Sequence, residues 1–117
     1  MSDMVFKILS KSEWQRAEAT GVFAGSAVDI ADGFIHLSTR KQISETAAKH
    51  FRGQMDLVVV AFHAAGLGDQ LKWEASRGND LFPHHYGVLQ TGQALWIEPA
   101  PLDKNGIPML SKKVLTC

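Results

Sequence analysis

DLVVVAFH, residues 56–63, decides the fold. Leu57 to Phe62 is an unbroken apolar run dominated by valine. Such a run, too short for a buried helix and rich in β-branched residues, predicts a strand covered on both faces. The rest of the chain has to supply two covering layers. Upstream, Ile43, Ala47 and Phe51 recur at i, i+4 and i+8, which predicts an amphipathic helix over 40–51, with Thr39 and Gln42 as a capping box and Gly53 as its stop. Earlier still, Met4 to Leu9 reads as a first strand. Ser10 with Glu13 three residues on forms another capping box, and Leu9 and Trp14 stand at the positions of a hydrophobic staple. A helix over 11–20 then ends at Gly21. Residues 22–32, small and acidic, read as a loop.

Downstream, AAGLGD reads as a loop or single helical turn. LKWEA, residues 71–75, alternates Leu71, Trp73 and Ala75 against Lys72 and Glu74, the pattern of a half-buried strand with the first set inward. Gly and Pro punctuation makes 76–87 a loop. Residues 86–90 and 93–98, around Thr91-Gly92, read as a hairpin or two sequential strands, and 103–106 as a turn. The order β-α-β-α-β-β-β-β predicts an α+β fold: a curved, mainly antiparallel or mixed sheet covered by two helices on one side. One domain spans 1–117, its ordered core running over about 4–101 and the remainder forming a C-terminal turn and tail.

Composition narrows the function classes. The 117 residues carry 12 Lys and Arg against 12 Asp and Glu, with 45% hydrophobic content. A nucleic-acid partner is not expected, because neither a basic excess nor a basic run is present. The single cysteine, Cys117, excludes an internal disulfide framework and a CxxC motif. The start is acidic where a signal peptide is basic, and no apolar stretch has the length of a membrane span, so a soluble cytoplasmic protein is expected.

The chemistry gathers in three stretches. In GFIHLS, residues 33–38, a strand reading puts Phe34, His36 and Ser38 on one face and Ile35 and Leu37 on the other. A ring, an imidazole and a hydroxyl in a row describe a pocket wall. Thr39 then opens a helix whose first N–H groups, with Arg40 and Lys41 beside them, suit an anion. LFPHHYG, residues 81–87, brings Phe82, His84, His85 and Tyr86 together. Adjacent histidines in extended backbone point in opposite directions, so at most one faces a given site. KWEASRG, residues 72–78, adds Glu74 and Arg77 at a pocket rim. Asp29 and Asp32 read as turn formers, and His50 and His63 as structural. His36, His84, His85 and Glu74 also compose a zinc set, but no i, i+4 histidine pair supports it.

GSAVDIADGFIHLST and LKWEASRGNDLFPHHYG resemble a family of small, mostly bacterial proteins labelled domain of unknown function 952, from Phe6 to about Pro101. That family is similar in fold to the ADP-ribosyltransferases, which grip NAD in a central cleft. The resemblance implies a bound nucleotide of the NAD or ADP-ribose type, no metal, and cleavage or transfer at the ribose. His36-Leu37-Ser38 matches the His-x-Ser strand on which the histidine meets a ribose and the hydroxyl meets nicotinamide. Leu37 departs from the usual glycine. Tyr86 or Phe82 would stack on nicotinamide. Glu74 or Glu98 would be the carboxylate near the 2′-hydroxyl. His36, Arg77 and His84 also match, by residue type, the RNA 2′-phosphotransferases of that superfamily. The implied catalytic set is His36, Glu74 and His84, with Phe34, Ser38, Thr39, Arg77, Phe82, His85 and Tyr86 binding ligand. The alternative is a non-catalytic binder of a nucleotide or modified ribose; a metal-dependent hydrolase is more distant.

Overall fold

The structure, a computed structural model, describes residues 3–116, with Arg77 described by its backbone alone. Strand β4 (Leu57–His63) is the middle of a three-stranded antiparallel sheet, between β1 (Met4–Ser10) and β8 (Trp96–Pro99). Its side chains alternate between two cores. Val58, Val60 and Phe62 join Val5, Leu9, Trp14 and Leu89 on one face. Leu57, Val59 and Ala61 join Phe6, Ile8, Ile43, Ala47 and Val114 on the other. Each large side chain buried this way contributes about 1.5–3 kcal/mol. The sheet is therefore the stability centre of the chain.

Helix α1 (Lys11–Thr20) follows β1 directly. Ser10 Oγ accepts the Glu13 N–H at 3.1 Å, the Glu13 carboxylate returns to Ser10, and Gly21 closes the helix in the left-handed conformation at φ 88°. Leu9 and Trp14 lie in one buried cluster, as a staple requires. Helix α3 (Ile43–His50) starts later than the capping pattern predicts, because 40–42 form a turn. Half of the expected box is present: Gln42 Oε1 accepts the Thr39 N–H at 3.1 Å. Arg40 does not wait for an anion. Its guanidinium donates to the Val114 carbonyl at 2.6 Å and to the Lys113 carbonyl at 3.1 Å, at the end of helix α5 (Lys112–Leu115), where a cation is favoured. Val114 is fully buried there, so the segment expected as a tail supplies a core residue.

Residues 22–32 are not a loop. They form β2 (Val22–Phe23) and helix α2 (Ala27–Asp32), the latter too short to show periodicity. Gly33 ends α2 at φ 86°, so the strand expected over 33–38 shrinks to β3 (Ile35–His36). Beyond it, Phe6 and Ser38 exchange backbone hydrogen bonds of 2.8 and 2.9 Å, which join β1 to the second sheet. After a short helix α4 (Ala64–Leu67) comes β5 (Leu71–Ala75). The expected loop 76–87 holds a further strand, β6 (Leu81–His85), which is the middle of the antiparallel order β3-β6-β5. Pro83 hid it, since proline is read as a breaker of central strands. Its ring nitrogen faces the side where the β3 ladder runs out, and its carbonyl still accepts the Leu37 N–H at 3.0 Å.

The expected inward face of β5 is only partly inward: Leu71 packs against the first core, but Trp73 and Ala75 are exposed and Glu74 is half-buried. Trp73 is 42% exposed, because β5 is an edge strand and its Glu74 face looks toward the site. The two late strands are separate rather than a hairpin. Strand β7 (Leu89–Gln90) pairs with β2, and β8 pairs with β4. The 103–106 turn forms, with Asp103 Oδ1 accepting the N–H groups of Asn105 and Ile107 at 2.8 and 3.0 Å. Every strand pairing among the described residues is antiparallel, within an α+β fold. No helix among them is long and apolar enough to cross a membrane.

Candidate active site

Two sheets and three helices border a cleft of about 790 Å³, lined among others by His36, Ser38, Thr46, Phe82, His84 and Asp32. Lys7 explains how the cleft is anchored. Along β1 it shares a face with Val5 and Leu9, so an ammonium group is delivered into the apolar layer. A buried charge requires a partner. Asp29 of α2, 1% exposed, provides it at 2.8 Å. Asp29 accepts four more contacts: Lys7 Nζ on its other oxygen at 3.0 Å, the Ser26 N–H at 2.9 Å, the His36 N–H at 3.1 Å and the His36 ring Nδ1 at 2.7 Å. Burial alone would raise this carboxyl, but the hydrogen bonds from His36 and the charge of Lys7 together hold it below the usual carboxylate range. Burial lowers Lys7, with Asp29 opposing it. Asp29 thus stays a carboxylate through the neutral range and locks the His36 ring. The sequence reading as a turn former is corrected: its partners lie 22 and 7 residues away, beyond any local motif.

A second imidazole comes from β6. His84 and Phe82 point to the cleft, while His85 and Pro83 occupy the opposite face of the strand. His84 Nδ1 lies 2.8 Å from Glu74 Oε1, and the same oxygen accepts the Tyr86 hydroxyl at 2.7 Å. These two bonds, Tyr86 first, lower the Glu74 carboxyl and in turn raise the Tyr86 phenol. Phe34 stacks on His84 at 4.1 Å between centroids and lies 4.6 Å from His36 and 5.3 Å from Tyr86. The His36 and His84 rings meet edge to face at 5.7 Å. Two carboxylate–imidazole pairs therefore converge from segments 48 positions apart (84 minus 36), with Phe34 between them.

The remaining candidates divide. Ser38 is buried at the cleft wall and donates to Thr46 Oγ1 at 3.2 Å. Thr39 has its N–H taken by Gln42. His85 leaves the site: it is buried on the far face, and its Nε2 lies 3.2 Å from the Val88 carbonyl. Glu98 stands on β8 opposite Val59, in the other sheet. The Arg77 side chain lies outside the described residues. Among those residues no three His, Cys, Asp or Glu side chains are gathered around a metal position. Lys7 and Asp29 are the residues that sequence reasoning missed. A lone lysine inside VFKIL was the available signal, since a charge between buried neighbours must be answered from elsewhere.

The chain matches, over residues 8–97, the family described as Protein of unknown function (DUF952). It belongs to that family. The matched span contains both carboxylate–imidazole pairs of this DUF952 chain, while Lys7 precedes it. A crystal structure of protein CC0527 from Caulobacter crescentus is 50% identical, covers 97% of this chain and 99% of its own, and superposes with a TM-score of 0.93. A solution NMR structure of CC0527 is 53% identical over 90% of each chain, with a TM-score of 0.81. No curated protein matches the DUF952 chain.

Proposed function

We propose that the cleft is an ADP-ribosyltransferase-like site that binds a ribosylated ligand of the NAD or ADP-ribose type and cleaves or transfers at its ribose. The observation that carries this reading is the convergence of the Asp29–His36 and Glu74–His84 pairs on one cleft, 5.7 Å apart between rings. Carboxylate-oriented imidazoles in a cleft partly walled by aromatic rings are what proton transfer requires. The cleft volume of about 790 Å³ has room for a nucleotide. Phe34 backs the His84 ring by stacking on it, and Ser38 sits two positions from His36 on the same cleft wall.

Glu74 takes a different role from the one the resemblance implies. Its Oε1 already serves His84 and Tyr86, so it orients the imidazole. A non-catalytic binder is the second reading, and one contact favours it: Asp32 Oδ2 closes His36 Nε2 at 2.9 Å. Calorimetry with NAD and ADP-ribose, alongside an assay of base release, separates the two. Binding with turnover supports the enzyme, and binding without turnover supports the binder. Absence of binding to either ligand defeats both.

A further inference from the structure

The two histidines use their ring nitrogens differently. His36 presents Nδ1 to Asp29 at 2.7 Å and Nε2 to Asp32 at 2.9 Å. Both nitrogens donate only when the ring is an imidazolium. His84 presents Nδ1 to Glu74 at 2.8 Å, and its Nε2 has no hydrogen-bond partner among the described residues. With the Nδ1 proton given to a carboxylate, Nε2 keeps its lone pair. The contacts of the first ring fit a proton on each nitrogen, and those of the second leave one nitrogen open to the cleft. Both line the same cleft, with a carboxylate, Asp32, beside the first. Among the described residues lining that cleft Lys7 is the one Lys or Arg, and it is engaged by Asp29 and by the His36 carbonyl at 3.2 Å.

We propose that His36 is the general acid and His84 the general base in hydrolysis of an N-riboside whose leaving base must take up a proton, a neutral purine or pyrimidine rather than a pyridinium. This rests on the ribosyl reading above and names its substrate class. Water attacks C1′ as the C1′–N bond breaks. The bond's electron pair goes to the base nitrogen, which takes the His36 proton, and the water proton goes to His84 Nε2. Asp32 releases Nε2 as the base enters and lies beside the positive charge that develops on the ribose. Asp29 and Glu74 are positioning residues.

The test compares two substrates in the same variants: adenosine, whose base needs a proton to leave, and p-nitrophenyl β-D-ribofuranoside, whose phenolate does not. General acid catalysis contributes a factor of about 10²–10⁴. His36→Ala is expected to lose that factor in kcat/KM on adenosine and less than about tenfold on the nitrophenyl riboside. The ratio within one preparation is unaffected by any misfolded fraction. His84→Ala is expected to slow both substrates alike, with sodium azide restoring turnover to a ribosyl azide product. Equal loss on both substrates in His36→Ala overturns the assignment. So does a wild type that cleaves NAD but not adenosine, which leaves the ribosyl reading standing. A wild type that binds no ribosylated probe in calorimetry overturns both.

Discussion

The sheet centred on β4 and the sheet centred on β6 have the same plan, three antiparallel strands with the middle one paired on both sides. They differ in what the middle strand carries. Leu57 to Phe62 of β4 are all buried and apolar, and each face meets its own core. In β6, Leu81 is exposed, Pro83 interrupts the donors, and two histidines point to opposite sides. One sheet is held by dispersion and water exclusion. The other carries polar side chains, most of them partnered, although the buried His85 Nδ1 of β6 has no hydrogen-bond partner among the described residues. The difference teaches that stability and chemistry are separated between sheets, meeting at the Phe6–Ser38 bridge and the Lys7–Asp29 pair.

The sharpest way to break this contrast is a cavity in the first sheet. Phe62→Ala is expected to cost about 3–5 kcal/mol, read as a shift of the urea midpoint with unchanged slope. A loss below about 1 kcal/mol would mean that β4 is not the stability centre.

The junction is tested by charge. Asp29→Ala leaves Lys7 buried without its counter-ion and is expected to cost about 3–5 kcal/mol. The double variant Lys7→Met, Asp29→Leu should recover most of that loss in the same urea titration while freeing the His36 ring. If the double variant is no better than the single one, the Asp29 hydrogen bonds to Ser26 and His36 matter more than the ion pair.

Acid sharpens the same point. The Asp29 carboxyl lies below its ordinary 3.8 in the folded chain, so its contribution is complete above that value and is lost as pH falls through and below it. The wild-type Tm should therefore fall more steeply between about pH 5 and about pH 2.5 than that of the double variant. Parallel curves would place the acid sensitivity elsewhere.

Two smaller effects calibrate the ends of the scale. Ser10→Ala removes the α1 cap and is expected to cost about 1 kcal/mol. Leu81→Thr, at a position 56% exposed on β6, is expected to stay within about 0.5 kcal/mol. A larger loss there would show that the site sheet is packed against something stabilising.

What could be read from residues alone was local. The valine run of β4 declared a strand buried on both faces, because a short run rich in β-branched residues favours a strand over a buried helix. Ser10, Glu13 and Gly21 bounded α1 through contacts spanning four residues or fewer. Neighbouring histidines had to diverge, and His84 and His85 do. His36, Ser38, Phe82 and His84 were named from their residue types and reach one cleft. The tertiary structure decided everything that depended on distant partners. Only pairing with β3 and β5 made 81–85 a strand despite Pro83, and only the edge position of β5 turned Trp73 outward. Asp29 became the anchor of His36 because β1 brings Lys7 beside α2, and Glu74 became the His84 partner because β5 and β6 run in register. Local patterns carry caps and periodicity, whereas the ownership of a charge is set by which strands lie side by side.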